Sequence, residues 1–189
     1  MTTRRKQILK TASRLFKEKG YSAVSMRDLA ASMDLKAASL YNHISGKQEI
    51  LSLLIMDVAS QFTQGMERVV MSEESSAFAK AKQLIDLHIH LAETCPESLA
   101  VMNNDWMHLE GETYRNYIES RKTYEYNFLL ILKNGMHTGE FKTFTPGIML
   151  FNLLSTLRTL YLWIPKRDKE EVATLKRELP LQLLSGIAH

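Results

Sequence analysis

The chain has 189 residues, with 24 Lys and Arg against 21 Asp and Glu, and a single cysteine, Cys95. That length fits one domain, or a small domain joined to a larger one. One cysteine excludes an intrachain disulfide and suits a reducing cytoplasm, and MTTRRKQILK lacks the apolar core of a secretory leader. No run of 18 uninterrupted apolar residues marks a membrane span. Four prolines among plentiful Leu, Lys, Glu and Ala point to an all-α protein. Charge is uneven along the chain. Residues 1–47 hold ten Lys and Arg against three acids, a net +7, which leaves −4 on the remainder of a chain whose total is +3. A basic first quarter on an acidic body suits a small nucleic-acid-binding head, although a solvated charged face gives the same count.

The first predicted helix runs from about Thr3 to Lys19, with Ile8, Ala12, Leu15 and Phe16 as its buried stripe and Gly20 just past its end. Arg4, Arg5 and Lys6 stand at its start, where cations oppose the helix dipole and a nearby anion such as a DNA phosphate would relieve the cost. Ser25 with Asp28 three residues on is a helix-start signal. Met26, Leu29, Ala30 and Met33 follow at helical spacing. Asp34 interrupts them, and a second short helix is predicted over about Lys36–His43, with Leu40 inward. Ser45, paired with Gln48, then opens a longer helix. Two helices of about two turns each do not stand alone in water. A helix-turn-helix packs them while presenting the second to a DNA groove.

Two runs, RKQILKTASRLFKEKGYSAVSMRDLAASM and LYNHISGKQEIL, resemble the DNA-binding motif of the TetR/AcrR family of bacterial transcriptional regulators. In that family the pattern reads roughly ILxAAxxLFxxxGYxxTSxxxIA and LYxHFxSKxxL. The resemblance covers about residues 4–55, a quarter of the chain. Asp34 stands where the family usually has Gly, and Ile44 where Phe is common. Asp tolerates the left-handed conformation better than most residues, so the turn is expected to survive.

The resemblance implies an N-terminal three-helix domain over 1–47. A long helix joins it to a C-terminal helical domain for ligand binding and dimerisation over 48–189. It further implies a ligand-responsive repressor rather than an enzyme, released from a palindromic operator by a small apolar or acyl-type effector. Residue by residue, it carries DNA contacts onto Ser25, Arg27, Lys36, Ala37, Ser39, Tyr41, Asn42, His43 and Lys47. Ser25, Ser39, Tyr41 and Lys47 are the expected phosphate contacts. Lys36 suits guanine, Asn42 adenine and Ala37 a thymine methyl, and Arg27 suits either role. For each polar position, plain solvent exposure is the competing reading.

The long helix is predicted from Lys47 to about Met71, roughly 36 Å at the helical rise. Ser72–Ser76 reads as a linker. Further helices are expected over about Ala77–Thr94, Pro96–Leu109 and Glu112–Thr138. Thr145-Pro146 starts an almost wholly apolar helix reaching Trp163. Such a helix has to be covered on every side. Asp168 with Glu171 caps a last helix, in which Pro180 is expected to force a kink or a break after Leu179. The resemblance makes these last two helices, near 146–164 and 168–187, the homodimer interface.

His88, Asn103, Trp106, Tyr114, Tyr117, Arg121 and Tyr124 are polar or aromatic groups on otherwise apolar faces, the composition of a ligand pocket. Mutual satisfaction within a core is the competing reading. Arg121, if buried, requires an anion, either an internal acid or a ligand carboxylate or phosphate. The run ESRKTYEYNFLLILKNGMHTGEF is similar to C-terminal domains of the family branch that senses acyl-CoA thioesters and lipid-like metabolites. His88 and His90 point to different helix faces, so they do not share a metal ion. Cys95 has no neighbouring cation in sequence and reads as a buried thiol. No cofactor motif and no G-x-S-x-G, Walker, H-E-x-x-H or C-x-x-C pattern is present. A helical carrier or enzyme with a basic head is the alternative from another class.

Overall fold

The computed structural model describes residues 3–73 and 76–188. The described residues form helices and short 3-10 turns, with one isolated antiparallel bridge between Phe141 and Ala188. Packing groups the chain into two compact units, Met1–Ala59 with Glu97–Ile118, and Ser60–Pro96 with Glu119–His189.

The first unit begins with α1 (Thr3–Lys19), whose stripe of Ile8, Ala12, Leu15 and Phe16 is buried as expected. Gly20 ends it at φ +83, a conformation that glycine adopts without strain. In α2 (Met26–Ala31) Ser25 and Asp28 form a reciprocal capping box. The turn after α2 closes with Asp34 N–H donating to the Ala31 carbonyl and Leu35 N–H to the Ala30 carbonyl. Asp34 holds φ +54 there, so the left-handed turn survives the missing glycine. Helix α3 (Ala37–Tyr41) is shorter than the predicted Lys36–His43, because Lys36 and Asn42 are its two caps.

Helix α4 (Lys47–Met71) has the predicted length and supplies its first part to this unit. Its start differs from the expectation in one partner. Ser45 gives both its N–H and its hydroxyl to Glu49, whereas Gln48 turns to Tyr21 and His108. Glu49 also pairs with Arg5, so that cation of the first turn of α1 is held by a protein carboxylate. Helix α6 (Pro96–Asp105) and a 3-10 turn (Trp106–His108) replace the single element expected over 96–109, and α7 (Gly111–His137) follows.

The second unit contains α5 (Ala77–Thr94) and the C-terminal parts of α4 and α7. The Ser72–Ser76 linker lies partly outside the described residues. Its last residue, Ser76, caps α5, helped by Glu140, which accepts from the Ser76 hydroxyl and from Ala77 and Phe78 N–H. After α7, Phe141 is fully buried and packs where Gly135 leaves room: a Cβ on Gly135 would lie 2.2 Å from the Phe141 ring.

The expected single helix from Pro146 to Trp163 is broken. It divides into α8 (Pro146–Leu157) and α9 (Leu160–Trp163), then a 3-10 turn (Ile164–Lys166). The Ser155 hydroxyl donates to the Phe151 carbonyl, and the Thr159 hydroxyl donates to the Thr156 carbonyl. Side-chain bonding of this kind competes with the helix ladder and explains the break. An 18-residue window within 146–166 has a mean hydropathy of 1.3, which by length and composition also suits a membrane span; the span is interrupted after Leu157, and 44% of the window is buried. In α10 (Lys169–Ser185) the Asp168–Glu171 box forms as expected. Of the kink or break expected after Leu179, the break is absent: the helix continues through Pro180 with the ring buried. Lys142 N–H donates to the Ile187 carbonyl at 2.6 Å, tying the end of the described chain to the residues after α7.

Candidate functional site

Helix α3 is amphipathic in the way a groove-reading helix requires. Leu40 is fully buried, and Ile44 beside it anchors the following turn. Lys36, Tyr41 and Asn42 are exposed, with Tyr41 54% accessible. Ala37, Ser39 and His43 are half-buried at its margins. Ser25 and Arg27 are exposed at the start of α2. The Ser25 hydroxyl donates to Asp28 at 2.5 Å, and these hydrogen bonds hold the Asp28 carboxyl below its ordinary pKa. As an acceptor from Asp28 N–H as well, Ser25 fixes the α2 N-terminus.

Lys47 is half-buried and held by contacts within the fold. Its ammonium donates to the Tyr21 carbonyl at 3.0 Å and sits 4.2 Å from the centroid of the Tyr21 ring. The Tyr21 ring is stacked on His108, and Tyr21 N–H donates to Asp105 at 3.2 Å. The sequence signal for this contact is present only in retrospect: an aromatic, a lysine and a histidine spaced far apart in the chain.

The seven candidate ligand residues are drawn from both compact units. Asn103, Trp106, Tyr114 and Tyr117 belong to the first unit, and His88, Arg121 and Tyr124 to the second. In the first unit Trp106 stacks on Tyr114 at 6.2 Å and lies 6.0 Å from Tyr117, which is buried. The Asn103 amide donates to the Leu99 carbonyl of its own helix.

In the second unit His88 Nε2 and the Tyr124 hydroxyl are 3.0 Å apart, and Phe62 packs on both rings. Burial, with a smaller push from the charge of Arg158, takes the His88 pKa down to about 3, so the imidazole is neutral. Burial raises the Tyr124 hydroxyl well above its ordinary value. Arg121 is half-buried rather than buried, since its side chain lies along the helix to Glu125 at 3.1 Å. Arg158 reaches the same carboxylate. Desolvation would raise the Glu125 carboxyl, but the two guanidiniums outweigh it and hold it low. The sequence reading passes over Arg158. Its signal is a lone cation in an otherwise apolar run, which has to find a partner. Cys95 is half-buried, with its thiol donating to the Leu91 carbonyl.

A short exposed helix behind a left-handed turn, set in a strongly basic N-terminal segment, defines a helix-turn-helix DNA-binding protein. Residues 8–54 match the model of bacterial regulatory proteins of the tetR family, and residues 74–183 match the tetracyclin repressor-like C-terminal domain. The chain belongs to the TetR family of bacterial regulatory proteins and is a DNA-binding transcriptional regulator. One relative is the HTH-type transcriptional repressor KstR2 of Rhodococcus jostii, 21% identical over 187 residues, spanning 98% of this chain and 91% of that protein. The structure of the ketosteroid transcriptional regulator KstR2 of Mycobacterium tuberculosis superposes with a TM-score of 0.92 at 17% identity, covering 100% of this chain and 97% of that one. AibR, solved in complex with isovaleryl coenzyme A and operator DNA, superposes with a TM-score of 0.76 at 23% identity, covering 90% and 94%.

Proposed function

We propose that this regulator is a cytoplasmic homodimeric repressor without catalytic activity, which holds a palindromic operator and releases it when an acyl-type or otherwise apolar effector binds the helical body. The observation that supports the DNA reading is the exposed polar edge of α3, Lys36 with Tyr41 and Asn42, beside a fully buried Leu40. In this reading residues 1–47 form the DNA-binding domain, and 48–189 serve effector binding and dimerisation. Ser25, Ser39, Tyr41 and Lys47 meet phosphates and fix register; Lys36, Ala37 and Asn42 meet base edges, with Arg27 and His43 at the margins. Two such heads related by a two-fold axis meet successive major grooves about 34–36 Å apart.

Dimerisation through α8, α9 and α10 is supported by large apolar side chains that the single chain leaves exposed. Phe151 is 72% and Ile148 66% accessible, and Leu162 and Leu181 are about half so. The acyl-type effector is supported by a buried neutral His88–Tyr124 couple near the Arg158 charge, with Arg158 and Arg121 both on Glu125. AibR binds such a thioester. To weaken operator binding tenfold, the effector has to prefer the non-binding form by about 1.4 kcal/mol.

Selection of random duplex DNA by the purified protein, repeated with Tyr41→Ala, tests the DNA reading. A palindromic site lost in the variant is expected. No enriched site, from protein unfolded and refolded to strip bound ligand, would overturn it. A thermal-shift panel of acyl-CoA thioesters tests the effector reading, and binding confined to planar cationic drugs would sink it.

A further inference from the structure

We propose that Tyr21 is a positioning residue for operator binding: its ring and carbonyl hold the Lys47 ammonium at the start of α4, and the Trp106–His108 turn holds Tyr21. The inference rests on the reading of Lys47 as a phosphate contact. A free lysine side chain samples many rotamers, and ordering it on a phosphate costs conformational entropy. In this chain the cost is met before DNA arrives. Lys47 Nζ donates one of its three N–H groups to the Tyr21 carbonyl at 3.0 Å and lies 4.2 Å from the ring centroid. Two donors remain for a phosphate.

Tyr21 is itself fixed from several directions. Its ring meets Phe16 edge-on at 5.2 Å and stacks on His108 at 5.3 Å. Its hydroxyl donates to Gln48 Oε1 at 2.7 Å, and the Gln48 amide donates to the His108 carbonyl at 2.9 Å. Its N–H donates to the buried Asp105 carboxyl. Tyr21, Gln48 and His108 thus close a ring of contacts around the residue next to Lys47. A displacement of the 3-10 turn would therefore reach the aromatic ring under the ammonium. Pre-organisation of this kind lowers the ordering cost of binding without adding a contact to the partner.

The test is a double-mutant cycle with the duplex enriched by the wild-type protein, read as affinity against salt. Lys47→Met is expected to weaken binding and to lower the slope of log Kd against log salt by about one phosphate, roughly 0.9. Tyr21→Leu is expected to weaken binding about three- to tenfold in the wild type, and less than about twofold in the Lys47→Met background. Should Tyr21→Leu fail to fold, His108→Leu replaces it, with a smaller loss in the same pattern. Equal losses in both backgrounds would show a role in the fold alone and overturn the proposal, leaving the phosphate reading of Lys47 intact. A Lys47→Met protein that binds as tightly as wild type, with an unchanged salt slope, would remove that reading and the proposal together.

Discussion

His88 Nε2 lies 3.0 Å from the Tyr124 hydroxyl in a site where both side chains are buried against Phe62. An imidazole held at a pKa of about 3 in the fold, against 6.5 as its ordinary value, binds fewer protons folded than unfolded between those limits. Stability from this site is therefore fully present above about pH 6.5 and is lost progressively as pH falls towards 3. His88→Gln, whose amide still reaches Tyr124, is expected to flatten the dependence of denaturant midpoint on pH across that window. A profile as steep as wild type would refute the assignment. Tyr124→Phe leaves the imidazole without this partner and is expected to cost about 1–3 kcal/mol at pH 7.

Glu140 acts on a different helix. It accepts from Ser76, Thr138 and two N–H groups of the α5 first turn; against a desolvation cost, these bonds hold its pKa at about 2. The stabilisation is present above the ordinary carboxyl pKa of 4.5 and fades as pH falls from there to about 2. Glu140→Ala is expected to destabilise by about 1 kcal/mol at neutral pH, as loss of a helix cap does, and by less at pH 3. Equal losses at both pH values, measured by urea unfolding, would count against it.

Two glycines inside helices separate propensity from packing. Ala is the better helix former by roughly 1 kcal/mol. At Gly65 an added Cβ meets only the Leu87 side chain, 2.3 Å away at a flexible and half-exposed tip. Gly65→Ala is expected to be near neutral. At Gly135 it meets the fully buried Phe141 ring and, at 2.9 Å, the Ala77 Cβ. Gly135→Ala is expected to cost about 1–3 kcal/mol net, seen as a lowered Tm. Matching Tm values for the two variants would refute the packing account.

Phe151→Glu addresses the proposed dimer face. The ring is 72% exposed in the single chain, so the substitution leaves the fold of the unit in place. Sedimentation is expected to show monomers, and operator affinity is expected to fall by more than tenfold as two-head binding is lost. A dimer that persists at micromolar concentration would place the interface elsewhere.

Local signals carried most of the fold. Ser25 with Asp28, Gly20, Asp34 and Asp168 with Glu171 act within one turn, and the elements they bound lie within two residues of where periodicity puts them. What stayed hidden is long-range or competitive. Glu49 displaces Gln48 as the partner of Ser45 because Gln48 bonds to residues 27 and 60 positions away. Arg158 finds Glu125 across 33 positions. The break near Thr159 and the continuous helix at Pro180 turn on side-chain competition and burial, which hydrophobic patterning does not weigh. The polar edge of α3 was readable from a motif, whereas the division of the candidate ligand residues between two units was not.

The bond from Lys142 N–H to the Ile187 carbonyl, with Phe141 opposite Ala188, has a consequence for biosynthesis. Phe141 fills the space over Gly135, and the strand-like clasp beside it comes from the final described residues. During translation those residues leave the ribosome after everything else described. Phe141 and Ile187 flank α10, so the second unit cannot close in this way until that helix has been made.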